Sequence, residues 1–139
     1  MAKWRDSLER RFKEWRRLEY AVEDTLAGRR VLRVSGPRTP RLTTPVSVAV
    51  KQAELGAVEE KFGAGLACFC LGELTGEERT AFLKAWHDRL ESGATVVLAD
   101  RRGEGCETPD QLRDLLTPHA RILNVEVGPT FWWARYERA

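Results

Sequence analysis

The sequence predicts an α/β fold, a mostly parallel sheet that ends in an antiparallel hairpin. Three observations predict it. Two runs, Leu66-Ala-Cys-Phe-Cys70 and Ala94-Thr-Val-Val-Leu-Ala-Asp100, are apolar without alternation, as in strands buried on both faces. A segment with helical signals lies between them and another follows the second run. The last 19 residues alternate, with a break at Gly128-Pro129, which is a hairpin pattern. At 139 residues the chain is one domain, with an N-terminal helical segment over 1–27 and an α/β core over 28–139.

Each element has its own signals. Over 4–26, Trp4, Leu8, Phe12, Trp15, Leu18, Val22 and Leu26 recur every three or four residues and form an apolar stripe. This is one helix, or two with a break, with Asp6 and Glu9 favourably placed near its start and Gly28 as its stop. Residues 30–34 form a short strand. Gly36, Pro37, Pro40 and Pro45 then exclude regular structure up to residue 45. Valine at every second position marks a strand over 46–50, and 52–62 is a short helix or an irregular connection. After the strand at 66–70, Thr75-Gly-Glu-Glu78 is a capping box for a helix over 76–91, which Gly93 ends. Following the strand at 94–100, a polar loop leads to Thr108, the cap of a helix to about residue 116, with Pro109 in its first position. Strands over 121–127 and 130–137 close the chain.

Composition excludes several classes. With 42% hydrophobic and 32% charged residues the chain is an ordinary globular domain. No apolar run approaches the roughly 20 residues that span a bilayer. The first residues lack a signal-peptide core, and three cysteines are an odd count, too few for a disulfide scaffold. These features predict a reduced, cytoplasmic protein with no membrane partner. Cys68 and Cys70, two apart on a strand, would share a face as small buried hydrophobes, and Cys106 is an exposed thiol. No metal site is expected.

Charge is unevenly spread. Residues 1–51 carry a net +7 and residues 52–139 a net −5, and no acid interrupts the six basic residues from Arg29 to Lys51. Such a stretch marks a polyanion-binding patch, or lets two halves or two subunits attract each other. No nucleic-acid motif accompanies it, so nucleic acid is not the expected partner.

The block from Leu66 to Asp100, with the turn Leu90-Glu-Ser-Gly-Ala94, and the closing Phe131-Trp-Trp-Ala-Arg-Tyr136 resemble the second half of class I S-adenosylmethionine-dependent methyltransferases. In pattern and order the resemblance covers about residues 20–139. It implies a reduced Rossmann-like fold with the family's strand order 3-2-1-4-5-7-6. Only about 30 residues separate the first strand from Leu66, so the second strand is missing and residues 46–50 match the third. That segment would then pair directly with the first strand. The sheet near this edge would need cover from the N-terminal helix, a second copy or another protein, which predicts oligomerisation through the sheet face or edge around residues 30–65.

The resemblance also places the cofactor site, and its positions are altered. The family's glycine-rich turn is replaced by Ser35-Gly-Pro-Arg-Thr-Pro40, with Ser35 and Gly36 at the turn and Arg33 where an acid is usual. The acid that holds the ribose has no counterpart, and Gln52 replaces the one that contacts adenine. Each lost hydrogen bond is worth about 1–3 kcal/mol, and the positive segment opposes a sulfonium. Substrate-side candidates are Asp100, Arg101 and Arg102, at the end of a strand where α/β folds place ligands, with Gly72, Glu73 and Glu104 nearby. No catalytic residue is assigned.

The expectation is a non-catalytic methyltransferase-like protein without its own cofactor. It would act as a binding or regulatory subunit, with itself or with an intact methyltransferase. An active enzyme using S-adenosylmethionine in an unconventional or interface-completed site, and a basic nucleic-acid-binding module, are the alternatives.

Overall fold

The computed structural model describes residues 2–39, 46–72, 74–103 and 106–139, with the backbone alone for residues 2–4, 6 and 7. The stripe position Trp4, the side chain of Asp6, Pro40, Arg41 and Pro45 of the proline segment, Glu73 and Glu104 therefore lie outside what is described.

Helix α1 (Ala2–Leu26) leads to β1 (Val31–Ser35) and β2 (Val48–Lys51). A 3-10 helix, Gln52–Ala57, precedes β3 (Phe62–Cys68). Then come α2 (Gly76–His87), β4 (Leu90–Arg101), α3 (Pro109–Leu116), a 3-10 turn over Thr117–His119, β5 (Ala120–Val127) and β6 (Phe131–Arg138). The six strands form one sheet in the order β2-β1-β3-β4-β6-β5. The first four are mutually parallel, and β6 runs antiparallel to both β4 and β5. This is the predicted architecture. The expected pairing beside the first strand is present, with Leu32 opposite Val48 and Val34 opposite Val50. One strand stands outside β1, in the slot that the family order gives to strand two.

Two cores sandwich the sheet. On one face α1 packs Leu18, Val22 and Leu26 against Val31, Leu66, Cys68, Val97, Ala99 and Trp133. On the other, Phe82, Leu83 and Trp86 of α2 and Leu112 and Leu116 of α3 meet Leu32, Val34, Ala67, Val96, Leu98, Trp132 and Tyr136. Alternating side chains make this possible: in β1, Val31, Arg33 and Ser35 face the α1 side while Leu32 and Val34 face the other. Of the covers expected for the sheet, α1 supplies one, over β3, β4 and β6. Beyond its reach, the same face of β1 and β2 carries Arg33, Ser35, Ala49 and Lys51, small or polar residues with little need of cover.

Local chemistry explains the ends. At Thr75 and Thr108 the hydroxyl accepts from the N–H three residues on, and Glu78 and Gln111 return the bond to the cap N–H. Gly28, at φ +74°, closes α1, which is a single unbroken helix. Glu14, buried on α1, accepts from the N–H groups of Thr130 and Phe131 and pins the helix to the turn before β6.

Some boundaries differ from expectation. The helix predicted to residue 91 ends at His87, and the turn-like Leu90–Ala94 stretch belongs to β4. Gly93 adopts φ +82° within that strand instead of capping a helix. Strand β3 begins at Phe62 and ends at Cys68, not at 66 and 70. Phe69, at φ 56°, turns the chain out of the sheet. As a result Cys68 lies in the α1-side core and Cys70 in the opposite one, so the two thiols do not share a face.

Candidate functional site

A cleft of about 1140 Å³ opens at the C-terminal ends of the parallel strands. The chain leaves β1 toward β2 on one side, while β3 lies on the other, so the cleft sits where the sheet reverses direction. Four segments line it, after β1, after β2, after β3 and after β4. Ser35, Gly36 and Gln52 meet here on one side and Asp100, Arg101 and Arg102 on the other, with Arg33 and Gly72 also in the lining, while Glu73 and Glu104 lie outside the described residues.

Gly36 is needed for close approach of two backbones. A Cβ there would collide with the carbonyl oxygen of Phe69. The Gly36 N–H donates to Cys68 O at 2.9 Å, and the Thr39 hydroxyl lies 2.8 Å from Gly36 O and 3.0 Å from Cys68 O. The turn after β1 is thus bonded to the end of β3, and the Gly36 amide is not free for a ligand.

Asp100 is equally committed. Its Oδ2 accepts from the N–H of Leu71 and of Gly72, both at 2.9 Å, and its Oδ1 accepts from Arg101 N at 2.7 Å. Burial pushes this carboxyl above its ordinary pKa, and the three N–H donors and Arg79 pull the other way. Asp100 ties the loop after β3 to the end of β4. Arg79 reinforces that loop, donating from Nε to Leu71 O at 3.1 Å.

The remaining charge among the described lining residues is positive. Arg33, Arg38, Lys51, Arg101 and Arg102 line it, and Asp100 is the one carboxylate among the described lining residues. Arg101 stacks over the Phe69 ring, 5.5 Å from its centre, and Phe69 meets Trp15 and Phe131 in an aromatic cluster. Arg33 is half-buried on the sheet face, and its Nε is buried with no hydrogen-bond partner. Gln52 begins the 3-10 helix, and the N–H of Lys51 donates to Glu54.

Among the described lining residues, the one carboxylate is committed to backbone N–H groups and the one thiol is raised by burial. Burial pushes the Cys68 thiol up to about 12 and Cys70 higher still. No histidine is among the described lining residues; His87 and His119 stack on each other at a separate site. The described residues contain no cluster of three metal-ligating side chains, and none of their helices is long and apolar enough to cross a membrane.

The sequence reading did not bring Arg33, Arg38 and Lys51 together with Arg101 and Arg102. A signal for the first three was present in the acid-free stretch from Arg29 to Lys51. The conformation of Phe69 has no counterpart signal, because a bulky residue at positive φ is set by tertiary packing.

No protein-family model and no curated protein matches the chain. Solved structures do match it in fold. A S-adenosylmethionine-dependent methyltransferase from Archaeoglobus fulgidus aligns at a TM-score of 0.64 with 9% identity, over 93% of this chain and 94% of that one. A TehB-like S-adenosylmethionine-dependent methyltransferase from Corynebacterium glutamicum aligns at 0.60 with 16% identity, over 94% and 97%. Phosphoethanolamine N-methyltransferase 2 from Haemonchus contortus, in complex with phosphomonomethylethanolamine and S-adenosylhomocysteine, aligns at 0.61 with 12% identity, over 88% of this chain and 37% of that one. At these identities the likeness is one of fold, the class I methyltransferase fold in a reduced, six-stranded form.

Proposed function

We propose that this chain is a non-catalytic protein built on the methyltransferase fold, acting as a binding or regulatory subunit. The observation that carries this reading is the cleft lining. A bound S-adenosylmethionine needs an acceptor for its ribose hydroxyls and an environment that tolerates a sulfonium cation. The cleft instead presents five cationic side chains, with Lys51 and Gln52 at the end of the strand beside β1. Its one described carboxylate already accepts three backbone N–H groups. The residues present do not fit the cofactor.

The subunit role draws on α1. Leu8 and Phe12, one turn apart, are 46% and 64% exposed, upstream of the part of the helix that packs on the sheet. A second copy, or an intact methyltransferase, is the partner proposed for that surface.

Isothermal titration of the purified protein with S-adenosylmethionine tests the first half of the reading. No heat is expected beyond dilution, and binding at micromolar concentration overturns it in favour of an active enzyme. Native mass measurement, alone and after capture from the source cell, tests the second. A dimer or a co-captured methyltransferase supports it, and a lone monomer in both overturns it.

A further inference from the structure

We propose that the cleft binds a phosphorylated small molecule of about the size of a nucleoside triphosphate. The inference names a ligand class for the same cleft, and rests on the reading that it has left S-adenosylmethionine chemistry.

Sign is the first argument. Cations from three separate segments converge: Arg33 on β1 with Arg38 in the turn after it, Lys51 at the end of β2, and Arg101 and Arg102 at the end of β4. Like charges gathered in one concave, partly desolvated site raise its potential and favour an entering anion. The carboxylate of Asp100 does not serve as that anion, because both its oxygens are engaged by backbone N–H groups.

Arg33 is the second. Its half-buried side chain lies on an inner strand and lines the cleft, and its Nε has no hydrogen-bond partner. Neighbouring Ala49 and Leu66 offer no side-chain acceptor. Guanidinium groups match phosphate oxygens in geometry as well as charge, and Arg33 lines the cleft that a phosphate would enter.

Shape and position are the third. The volume, about 1140 Å³, exceeds what inorganic phosphate fills, and Pro37, Ala53, Phe69 and Leu74 supply apolar wall for a ring. The ends of parallel strands at a point of reversal are where open α/β sheets hold ligands. The acid-free stretch from Arg29 to Lys51 also gains a destination, since three of its cations line this one cleft.

The test is titration calorimetry of the full chain with ATP, tripolyphosphate, adenosine and S-adenosylmethionine in separate arms. ATP is expected to bind saturably below about 1 mM, tripolyphosphate to compete with it, and adenosine alone to bind at least tenfold more weakly. Arg33→Met, which keeps the stem, and Lys51→Gln, at an exposed position, are each expected to weaken ATP about tenfold, while Arg113→Gln on α3 leaves it unchanged. Thermal melts confirm that each variant is folded. Lack of saturable ATP or tripolyphosphate binding overturns the inference, as does binding indifferent to both Arg33→Met and Lys51→Gln. A single-stranded RNA that binds through the same residues and is not displaced by ATP overturns it in favour of nucleic acid. Micromolar binding of S-adenosylmethionine overturns the non-catalytic reading instead, so the two failures are distinguishable.

Discussion

His87 Nε2 lies 2.6 Å from the hydroxyl of Tyr136, joining α2 to β6 inside the larger core. Its Nδ1 lies 2.6 Å from Leu83 O. A carbonyl can only accept, so Nδ1 carries the hydrogen and Nε2 accepts from Tyr136. In that form the ring is neutral, and a second proton, on Nε2, would reverse the bond so that Tyr136 accepts.

That geometry sets a pH dependence. Burial, with smaller effects from His119 and Arg138, lowers the His87 pKa from 6.5 to about 4. Between those values the unfolded chain binds more protons than the folded one, so stability rises with pH there. It is fully present above about 6.5 and falls as pH drops toward 4, by at most roughly 3 kcal/mol from this group. His119, lowered by burial and Arg138, adds in the same direction. Urea denaturation across pH 4–7 measures the slope, and His87→Gln should flatten it. An unchanged slope in that variant assigns the effect to other groups.

Gly36→Ala should destabilise the protein by about 1–3 kcal/mol or more, since its Cβ meets the backbone of Phe69 and no side-chain rotation relieves it. Gly56→Ala is the matched control. Its Cβ would enter open space and its φ is not in the left-handed region, so its effect should stay within about 0.5 kcal/mol. Chemical denaturation of the two variants side by side decides the point, and equal effects would remove the special role of Gly36.

Asp100→Asn replaces an oxygen acceptor by an NH2 group that cannot accept. One of the three backbone donors, from Leu71, Gly72 or Arg101, then loses its partner inside the protein. The expected cost is about 1–3 kcal/mol. Asp100→Ala should cost more, because all three are left open. Amide hydrogen exchange at Leu71 and Gly72 should speed up in both variants. Unchanged protection there would show that the carboxylate does not hold that loop.

The contrast between what was legible and what was not follows locality. Both capping boxes, at Thr75 and Thr108, are four-residue patterns whose partners lie within the pattern, and both form as expected. Strand β4 was legible from its unbroken apolar run. The start of β3 was not, because Gly63-Ala-Gly65 carries no strand propensity. Gly65 is small because Leu90 and Trp86 press on that spot, which only the fold reveals. Gly93 misled because a glycine after a helix and a glycine in a strand irregularity look alike in sequence. In the site, the residues picked out at the first strand's turn and at the end of β4 share one cleft, Arg33 among them, whereas the convergence of Arg38 and Lys51 on Arg101 and Arg102 needed the fold.

Glu14 should prove to be the anchor of α1. Its carboxylate accepts from Thr130 N at 3.0 Å and Phe131 N at 2.8 Å, and it lies buried against Gly128, where a Cβ would collide with it. Glu14→Ala leaves two N–H groups open and is expected to cost about 2–4 kcal/mol. The loss falls on one helix, so it should appear first as local opening: faster proteolysis within α1 while the sheet amides stay protected. Gly128→Ala should reproduce the effect from the opposite side by displacing the Glu14 side chain. Limited proteolysis with hydrogen exchange separates the outcomes. If both variants lose sheet protection together with α1, the helix is part of one cooperative unit, and Glu14 is a core residue of the whole domain instead of a local tether.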